Sequence, residues 1–115
     1  MLEGEFSRKL LAALRKHPAL AKAVVWKHSD RFTSAILDFS VSIGPRTHWF
    51  ELKIHPNRPT KLQAYYLKRL GKGGHLVTVE KDLVWVMLDE DSVAGDTFDW
   101  LVSEIVKLCT TGVNP

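Results

Sequence analysis

Residues 35–54, AILDFSVSIGPRTHWFELKI, limit more than any other stretch how this chain can fold. Apolar and polar residues alternate on both sides of Gly44-Pro45, and a period of two around such a turn predicts a β-hairpin. With the turn centred between residues 44 and 45, Asp38 lies opposite Glu51 on the polar face. Like charges at directly opposed positions are destabilising. The hairpin therefore predicts two facing carboxylates that need a compensating cation.

The composition indicates one compact domain over residues 1–115. The chain has 45% hydrophobic residues and four tryptophans, enough to bury a core without covalent staples. Its single cysteine, Cys109, excludes an intramolecular disulfide framework and a Cys-rich zinc site, which makes a reducing, cytoplasmic compartment the default expectation. No apolar run approaches the roughly 18–20 residues that span a bilayer, and the N-terminal stretch lacks the apolar segment of a signal peptide. We expect a soluble intracellular protein without a membrane partner.

The net charge of +3 is divided unevenly along the chain. Residues 1–76 carry 14 Lys and Arg against five acids, whereas residues 77–115 carry two against eight. Such asymmetry favours a surface for a polyanion such as nucleic acid, although an ordinary solvated basic surface remains the alternative. Two of the few acids in the basic part are the facing carboxylates of the hairpin.

The rest of the pattern predicts an α/β sandwich. Apolar residues at helical spacing predict three helices, with Thr60 and Asp96 as N-caps of the second and third. The acids Asp89-Glu90-Asp91 are interpreted as a turn before the last helix, in preference to a second metal site. Helix and strand then alternate in an order typical of one mixed sheet flanked by helices. The predicted helices cover residues 5–17, 61–70 and 97–109, and the strands outside the hairpin cover residues 24–26, 75–80 and 83–88.

The polar face of the hairpin suits phosphate chemistry. Asp38 and Glu51 are hard oxygen ligands of the kind that Mg²⁺ or Mn²⁺ prefers, and these metals also accept phosphate oxygens. A metal there lowers the pKa of a bound water and stabilises charge on a phosphoryl oxygen. Lys53, two residues beyond Glu51, would orient the water and stabilise the developing charge. The alternative is that Lys53 merely neutralises both carboxylates in a surface ion network.

Asp38, followed after a turn by Glu51-Leu52-Lys53, resembles the D-(x)n-E-x-K signature of the PD-(D/E)XK, or restriction-endonuclease-like, nucleases. Gln63 in the next helix and the glutamates that open the first helix are similar to features of the VRR-Nuc and Holliday-junction-resolvase branches. The stretch TKLQAYYLKRLGKGGHLVTV resembles the run after ExK in stand-alone VRR-Nuc proteins, which are often phage-encoded. The resemblance covers about residues 3–88, with Leu37 where the family name has proline.

This resemblance implies a restriction-endonuclease-like α-β-β-β-α-β core and a Mg²⁺- or Mn²⁺-dependent endodeoxyribonuclease. It implies hydrolysis of branched, flap or junction DNA, a possible homodimer, and, if phage-encoded, action in the host cytoplasm. The implied metal ligands are Asp38, Glu51, the main-chain carbonyl of Leu52 and a glutamate of the first helix, for which we favour Glu5 over Glu3. The implied catalytic residues are Asp38, Glu51, Lys53 and Gln63, the last supporting the site through hydrogen bonds.

Basic and aromatic residues around the hairpin are candidate DNA contacts, although ordinary loop or core roles explain several of them equally well. The candidates for phosphate contact are Lys27, His28, Arg31, His55, Arg58 and Lys61. Tyr65 could stack on an unpaired base, and Trp49 shares the polar face of Glu51 but could simply cover the sheet. Two rival functions stay open: a degenerate nuclease fold that binds DNA without cutting it, and a subunit that docks on a larger complex through its acidic C-terminal helix.

Overall fold

The computed structural model describes residues 3–28 and 36–111. Within these ranges the chain forms three α-helices, six strands and two short 3₁₀ turns at Pro18–Leu20 and Gly71–Gly73. None of the described helices is long and apolar enough to cross a membrane. In chain order the elements are α1 Glu3–Lys16, β1 Val24–Lys27, β2 Phe39–Ile43, β3 Arg46–Ile54, α2 Lys61–Leu70, β4 Gly74–Val79, β5 Trp85–Leu88, β6 Asp91–Ala94 and α3 Thr97–Thr110.

The six strands form one mixed sheet whose spatial order follows the chain, from β1 at one edge to β6 at the other. Neighbouring strands are antiparallel except β3 and β4, which are parallel. A parallel pair needs a crossover connection, and α2 supplies it. The predicted α/β class, with one mixed sheet and accompanying helices, is thus confirmed.

The β2–β3 hairpin has the predicted register. Phe39 lies opposite Phe50 and Ile43 lies opposite Arg46, so only two residues form the turn. Gly44 has a positive φ of 56° and is followed by proline, as in a type II′ turn, whose twist matches that of the flanking strands. The first strand begins at Phe39, and the predicted extension to Ala35 lies partly outside the described residues.

The core lies on the face of the sheet that packs against α1 and α3. Every second residue of the central strands points into it, and Phe39 stacks on Phe50 with ring centroids 4.8 Å apart. Period-two alternation on β2, β3 and β4 meets a helical stripe on α1 and α3, as the sequence predicts. The fully buried side chains include Phe6, Leu10, Leu14, Phe39, Val41, Phe50, Leu52, Val77, Val79, Leu101 and Ile105.

The α2 helix covers the opposite face only thinly. It packs on β4, and Gln63 is its only buried residue. Its apolar side chains are partly exposed: Leu62, Tyr65, Tyr66 and Leu70 range from 38% to 53% exposure. The spacing predicts the helix but not how much of it the sheet covers.

Differences from the predicted elements are concentrated in the C-terminal third. Leu83 has a positive φ of 60°, so β5 starts at Trp85 rather than at Leu83. Asp91 begins strand β6, which was interpreted as part of a turn. Asp96 occupies the N-cap position of α3, but its side chain makes no capping hydrogen bond. Strand β6 is an edge of the sheet, and its pairing with β5 rather than apolar alternation defines it.

The close approach of α2 to β4 at Gly74 gives a stability prediction. A Cβ at Gly74 would lie 2.9 Å from the Leu70 Cβ and 3.0 Å from the Leu67 carbonyl oxygen, whereas a Cβ at Gly4 would meet nothing within 4 Å. Gly74→Ala should lower the free energy of unfolding by about 1–3 kcal/mol through overpacking. The control Gly4→Ala should leave it unchanged or raise it by up to about 1 kcal/mol, because alanine favours a helix. Urea denaturation measures both, and equal midpoints for the two variants would contradict this account.

Candidate active site

The Asp38 carboxylate is fixed by two neighbouring strands. Asp38 lies just before β2, and its Oδ2 accepts a 2.6 Å hydrogen bond from the Leu52 N–H in β3. Its main-chain carbonyl accepts a 2.8 Å hydrogen bond from the His28 N–H at the end of β1. Continuing the register of the hairpin places Asp38 opposite Glu51. The facing carboxylates predicted from the sequence are therefore present.

Glu51 is buried to an unusual degree for a carboxylate, at 1% exposure. Its Oε2 lies 3.2 Å from the Lys53 Nζ. Its Oε1 is buried and has no hydrogen-bond partner among the described residues. An unsatisfied buried acceptor costs about 1–3 kcal/mol, and more when charged. A surface ion network therefore does not describe this pair, since Lys53 satisfies only one of the two Glu51 oxygens.

The raised pKa values of Asp38 and Glu51 indicate that Lys53 does not fully compensate the negative charge of the two carboxylates. Burial, reinforced by the nearby Asp38 charge, raises the pKa of Glu51 from its ordinary 4.5 to about 7, against the opposing effect of Lys53. Burial also raises the pKa of Asp38, although the Leu52 N–H and Lys53 both act to lower it. Two carboxyl groups with raised pKa values on one surface are stabilised by any further cation. Perturbed pairs of this kind are concentrated at functional sites.

Glu3, not Glu5, is the helix glutamate that reaches the site. Burial and the charge of Asp38 raise the pKa of Glu3, and Lys53 acts to lower it, so the three groups share one environment. Glu5 is exposed. The two lie about 200° apart around the helix axis, and Phe6 on the buried face fixes which of them turns toward the sheet. These positions favour Glu3 over Glu5, and which of the two would join a metal site stays a prediction.

The donors fit a hard divalent cation. The Glu51 Oε1, which has no partner among the described residues, and the Asp38 carboxylate are oxygen donors. A bound metal cation would neutralise the negative charge that they bring together. In a strand, the N–H and C=O of one residue face the same neighbour, so the Leu52 carbonyl faces the side on which Asp38 lies. Within residues 3–28 and 36–111 no group of three or more His, Cys, Asp or Glu side chains is arranged to hold a metal ion, so the side-chain donors here are the two facing carboxylates. Mg²⁺ suits such a partial set, since it binds through one or two carboxylates and keeps several waters.

Gln63 has a well-defined structural role. Its side-chain oxygen accepts a 2.9 Å hydrogen bond from the Thr60 N–H, and its own N–H donates to the Thr60 hydroxyl at 3.1 Å. This reciprocal capping box begins α2 and confirms the predicted cap. Across the described parts of the chain, the hydrogen bonds of Gln63 do not include Asp38, Glu51 or Lys53, so its supporting role in the chemistry stays a prediction.

The predicted DNA contacts lie on several different elements of the fold. Lys27 is exposed, and its charge acts to lower the pKa of Asp38, which places it near the carboxylates. The His28 ring is engaged by a 2.8 Å hydrogen bond with the Ser40 hydroxyl rather than projecting freely. Arg31 lies outside the described residues. The remaining candidates are all exposed, beyond the end of β3 or on α2: His55, Arg58, Lys61 and Tyr65.

The sequence analysis did not predict a hydrogen-bonded series of three side chains on the core face of the sheet. His48 Nδ1 lies 2.9 Å from His75 Nε2, and His75 Nδ1 lies 2.9 Å from Asp89 Oδ2. This pairing lowers the pKa of Asp89, against the opposing effect of burial. The only signal in the sequence was the alternation of His75 with Val77 and Val79, which places the histidine on the buried face. Asp89 is thus a partner of a buried histidine rather than a free turn residue.

The raised pKa of Glu51 predicts how stability depends on pH without metal. Between its ordinary value of 4.5 and about 7, native Glu51 holds a proton that the unfolded chain has lost. The free energy of unfolding should therefore fall as the pH rises through this window. Glu51→Gln, which stays neutral, should remove this fall and be more stable than wild type at pH 8 by about 1–3 kcal/mol.

Urea denaturation in EDTA at pH 5, 6, 7 and 8 measures this difference. Burial lowers the pKa values of His28 and His48. These two histidines make the free energy of unfolding rise with pH, opposite to the effect of Glu51. The informative quantity is therefore the free energy of unfolding of the variant minus that of wild type at each pH. Glu90→Gln, at an exposed carboxylate, is the control. A difference for Glu51→Gln that does not change with pH would contradict the buried-charge account.

We compared the chain with protein families, curated proteins and solved structures. No family model, no curated protein and no solved structure matches this chain. What the chain does must therefore be inferred from the carboxylates, the lysine and the surfaces that its own fold brings together.

Proposed function

We propose that this protein is a metal-dependent nuclease that hydrolyses DNA phosphodiester bonds. The observation that carries the proposal is the buried Asp38–Glu51 pair beside Lys53, with one Glu51 oxygen left without a partner among the described residues. A fold tolerates such crowding of negative charge where a cation is to bind. The ligands we propose are Asp38, Glu51, the Leu52 carbonyl and, directly or through water, Glu3.

The order of the elements supports the proposal. Helix α1, the meander β1–β2–β3, helix α2 and strand β4 follow one another as the PD-(D/E)XK resemblance implies. The carboxylates lie at the start of β2 and within β3, and the crossover through α2 brings β4 parallel to β3. We therefore propose the restriction-endonuclease-like fold for residues 3–88.

The roles of the side chains follow from their positions. A bound Mg²⁺ or Mn²⁺ would supply Lewis acidity at a phosphate oxygen and a more acidic water. Asp38 is held in place by the Leu52 N–H, so it presents its other oxygen without reorganisation. Lys53 is partly exposed and tethered to Glu51, which positions its ammonium group to stabilise charge on the phosphate and to orient water.

The substrate class follows from charge and from the resemblance together. The basic part of the chain contains β1, β2, β3 and α2, which carry and surround the carboxylates. DNA with branches, flaps or junctions is the substrate we propose on the resemblance, and a homodimer is the assembly that two-fold junctions would suit. The partly exposed apolar side chains of α2 offer surface for either contact.

Metal binding should distinguish the two helix glutamates. Glu3→Gln should weaken Mn²⁺ binding several-fold, since it removes a charge that shares the site with Asp38 and Glu51. Glu5→Gln, at an exposed position two residues away, is the matched control and should bind Mn²⁺ like wild type. Isothermal titration calorimetry gives the affinities directly. Equal loss in both variants would indicate a general charge effect, and loss in Glu5→Gln alone would restore our original preference.

Cleavage tests the proposed activity. Labelled linear, flapped and four-way-junction DNA is incubated with Mg²⁺, Mn²⁺ or EDTA. Wild type should cut only with metal, and Lys53→Ala should cut more slowly by about 100-fold or more, as expected for loss of a group that stabilises developing charge. The matched control is Lys107→Ala, whose lysine pairs with Glu104 at 3.2 Å on the exposed side of α3.

Each other result has a definite meaning. Wild type that binds these DNAs and cuts none under any metal would show the rival function, a binding module of the nuclease fold. Full cutting by Lys53→Ala would place the active site elsewhere. Equal loss in Lys53→Ala and Lys107→Ala would point to general electrostatic attraction rather than to a catalytic lysine.

A further inference from the structure

Three aromatic rings form a continuous stack beside the carboxylates. Trp26 and His28 have ring centroids 6.0 Å apart at an interplanar angle of 23°, and His28 and Trp49 have centroids 4.9 Å apart at 27°. The hydrogen bond from His28 to the Ser40 hydroxyl, 2.8 Å long, fixes the middle ring. We call Trp26, His28 and Trp49 the aromatic surface. Its rings are held in nearly parallel planes before any ligand arrives.

The strand register puts this surface next to the proposed active site. Trp26 and Trp49 are both paired with Ser40, one from each side. Ser40 lies two residues from Asp38, and Trp49 lies two residues from Glu51. All share the polar face, because alternate strand residues point the same way. At about 3.3 Å per residue, Trp26 and Trp49 lie roughly 7 Å along the strands from the carboxylate positions. The His28 backbone lies closer, since its N–H donates to the Asp38 carbonyl.

Covering the sheet does not account for Trp26. Its side chain remains 63% exposed on β1, the edge strand, so it buries little apolar area. Burial lowers the pKa of His28, which favours the neutral form of the ring, and the ring stacks between Trp26 and Trp49. The adjacent Lys27 is exposed and supplies positive charge at the same edge. An exposed indole, a neutral ring and a lysine together match what a nucleotide offers: a flat base and a phosphate.

We propose that the aromatic surface binds an unpaired nucleobase of single-stranded DNA by stacking on Trp26, and so holds the strand beside the Asp38–Glu51 site. The identity of the ligand rests on the proposed nuclease function. Stacking is the general means by which proteins hold single strands, because every base has a π-face. Bases inside a duplex are already stacked on one another and do not offer that face. The surface therefore selects DNA with an unpaired segment, such as a flap or an open junction.

Binding without cleavage tests the proposal. The probe is a fluorescein-labelled oligothymidylate in EDTA, compared with the same backbone carrying abasic residues. Trp26→Ala should weaken binding of the oligothymidylate about 10-fold, as stacked bases generally do on alanine substitution. Trp26→Phe keeps a ring and should stay within about 3-fold of wild type. On the abasic strand, wild type and Trp26→Ala should bind equally, because only phosphates remain. Val84→Ala, at another exposed apolar residue, is the control.

A second measurement does not depend on the fold of the alanine variant. Oligothymidylate that stacks on Trp26 should quench the tryptophan fluorescence of wild type, and Trp26→Phe should lose most of that quenching. Wild type that binds no single strand, quenching unchanged in Trp26→Phe, or equal affinity of wild type and Trp26→Ala for oligothymidylate would each overturn the proposal.

The cleavage assay separates this proposal from the nuclease function. Metal-dependent cutting that needs Lys53, together with Trp26-independent binding, would overturn the aromatic surface and leave the nuclease standing. Trp26-dependent stacking without cutting under any metal would do the reverse. It would describe a protein that holds single strands on this face without hydrolysing them.

Discussion

The 2.6 Å hydrogen bond between the Leu52 N–H and the Asp38 carboxylate is the interaction on which the site depends. It joins the residue that enters β2 to the middle of β3 and fixes the Asp38 carboxylate beside the β3 strand that carries Glu51. A short charge-assisted bond of this kind is stronger than a neutral one. It therefore keeps a carboxylate in place beside Glu51, which is 1% exposed. Without it, repulsion between the two acids would favour a conformation that turns Asp38 toward solvent.

The fold can tolerate this repulsion because the apolar core and the paired carboxylates are on opposite faces of the sheet. The Phe39–Phe50 stack, the aliphatic residues of β4 and the buried stripes of α1 and α3 form the apolar core on one face. Their burial is the dominant stabilising term. The other face carries the carboxylates, Lys53 and the aromatic surface. Helix α2 packs on β4 and buries little more than Gln63. The repulsion between the carboxylates lowers the stability of the fold, and burial of the core offsets this loss.

The features that the sequence predicted are those that short-range rules decide. Turn chemistry at Gly44-Pro45 and period-two alternation give the register of the hairpin, and hence the opposition of Asp38 and Glu51. The capping box of Thr60 and Gln63 gives the start of α2. Three features that depend on contacts between distant parts of the chain were not predicted. They are the rotation of α1 that turns Glu3 rather than Glu5 toward the carboxylates, the high exposure of α2, and the hydrogen bond between His75 and Asp89. Each depends on how one element is placed against another, which local pattern does not encode. Strand β6 escaped for a different reason, since its residues, DSVA, lack alternation and pair only because β5 is beside them.

The spatial order of the strands determines where the unevenly distributed charge lies in the sheet, which the sequence alone does not show. Because β1 to β6 are arranged in chain order, strands β1 to β3 of the basic part lie toward one edge of the sheet, and strands β5 and β6 of the acidic part lie toward the other. Six strands spaced about 4.8 Å apart separate the edges by roughly 24 Å, about three Debye lengths at physiological salt. A polyanion near the β1 edge is therefore attracted by Lys27, while the charge of Asp91 on β6, at the far edge, is screened from it. The edge that carries Lys27 also carries Trp26, and the carboxylates lie on the two strands immediately inside it. Attraction, stacking and hydrolysis would then act on one strand of DNA in the order in which it meets the protein.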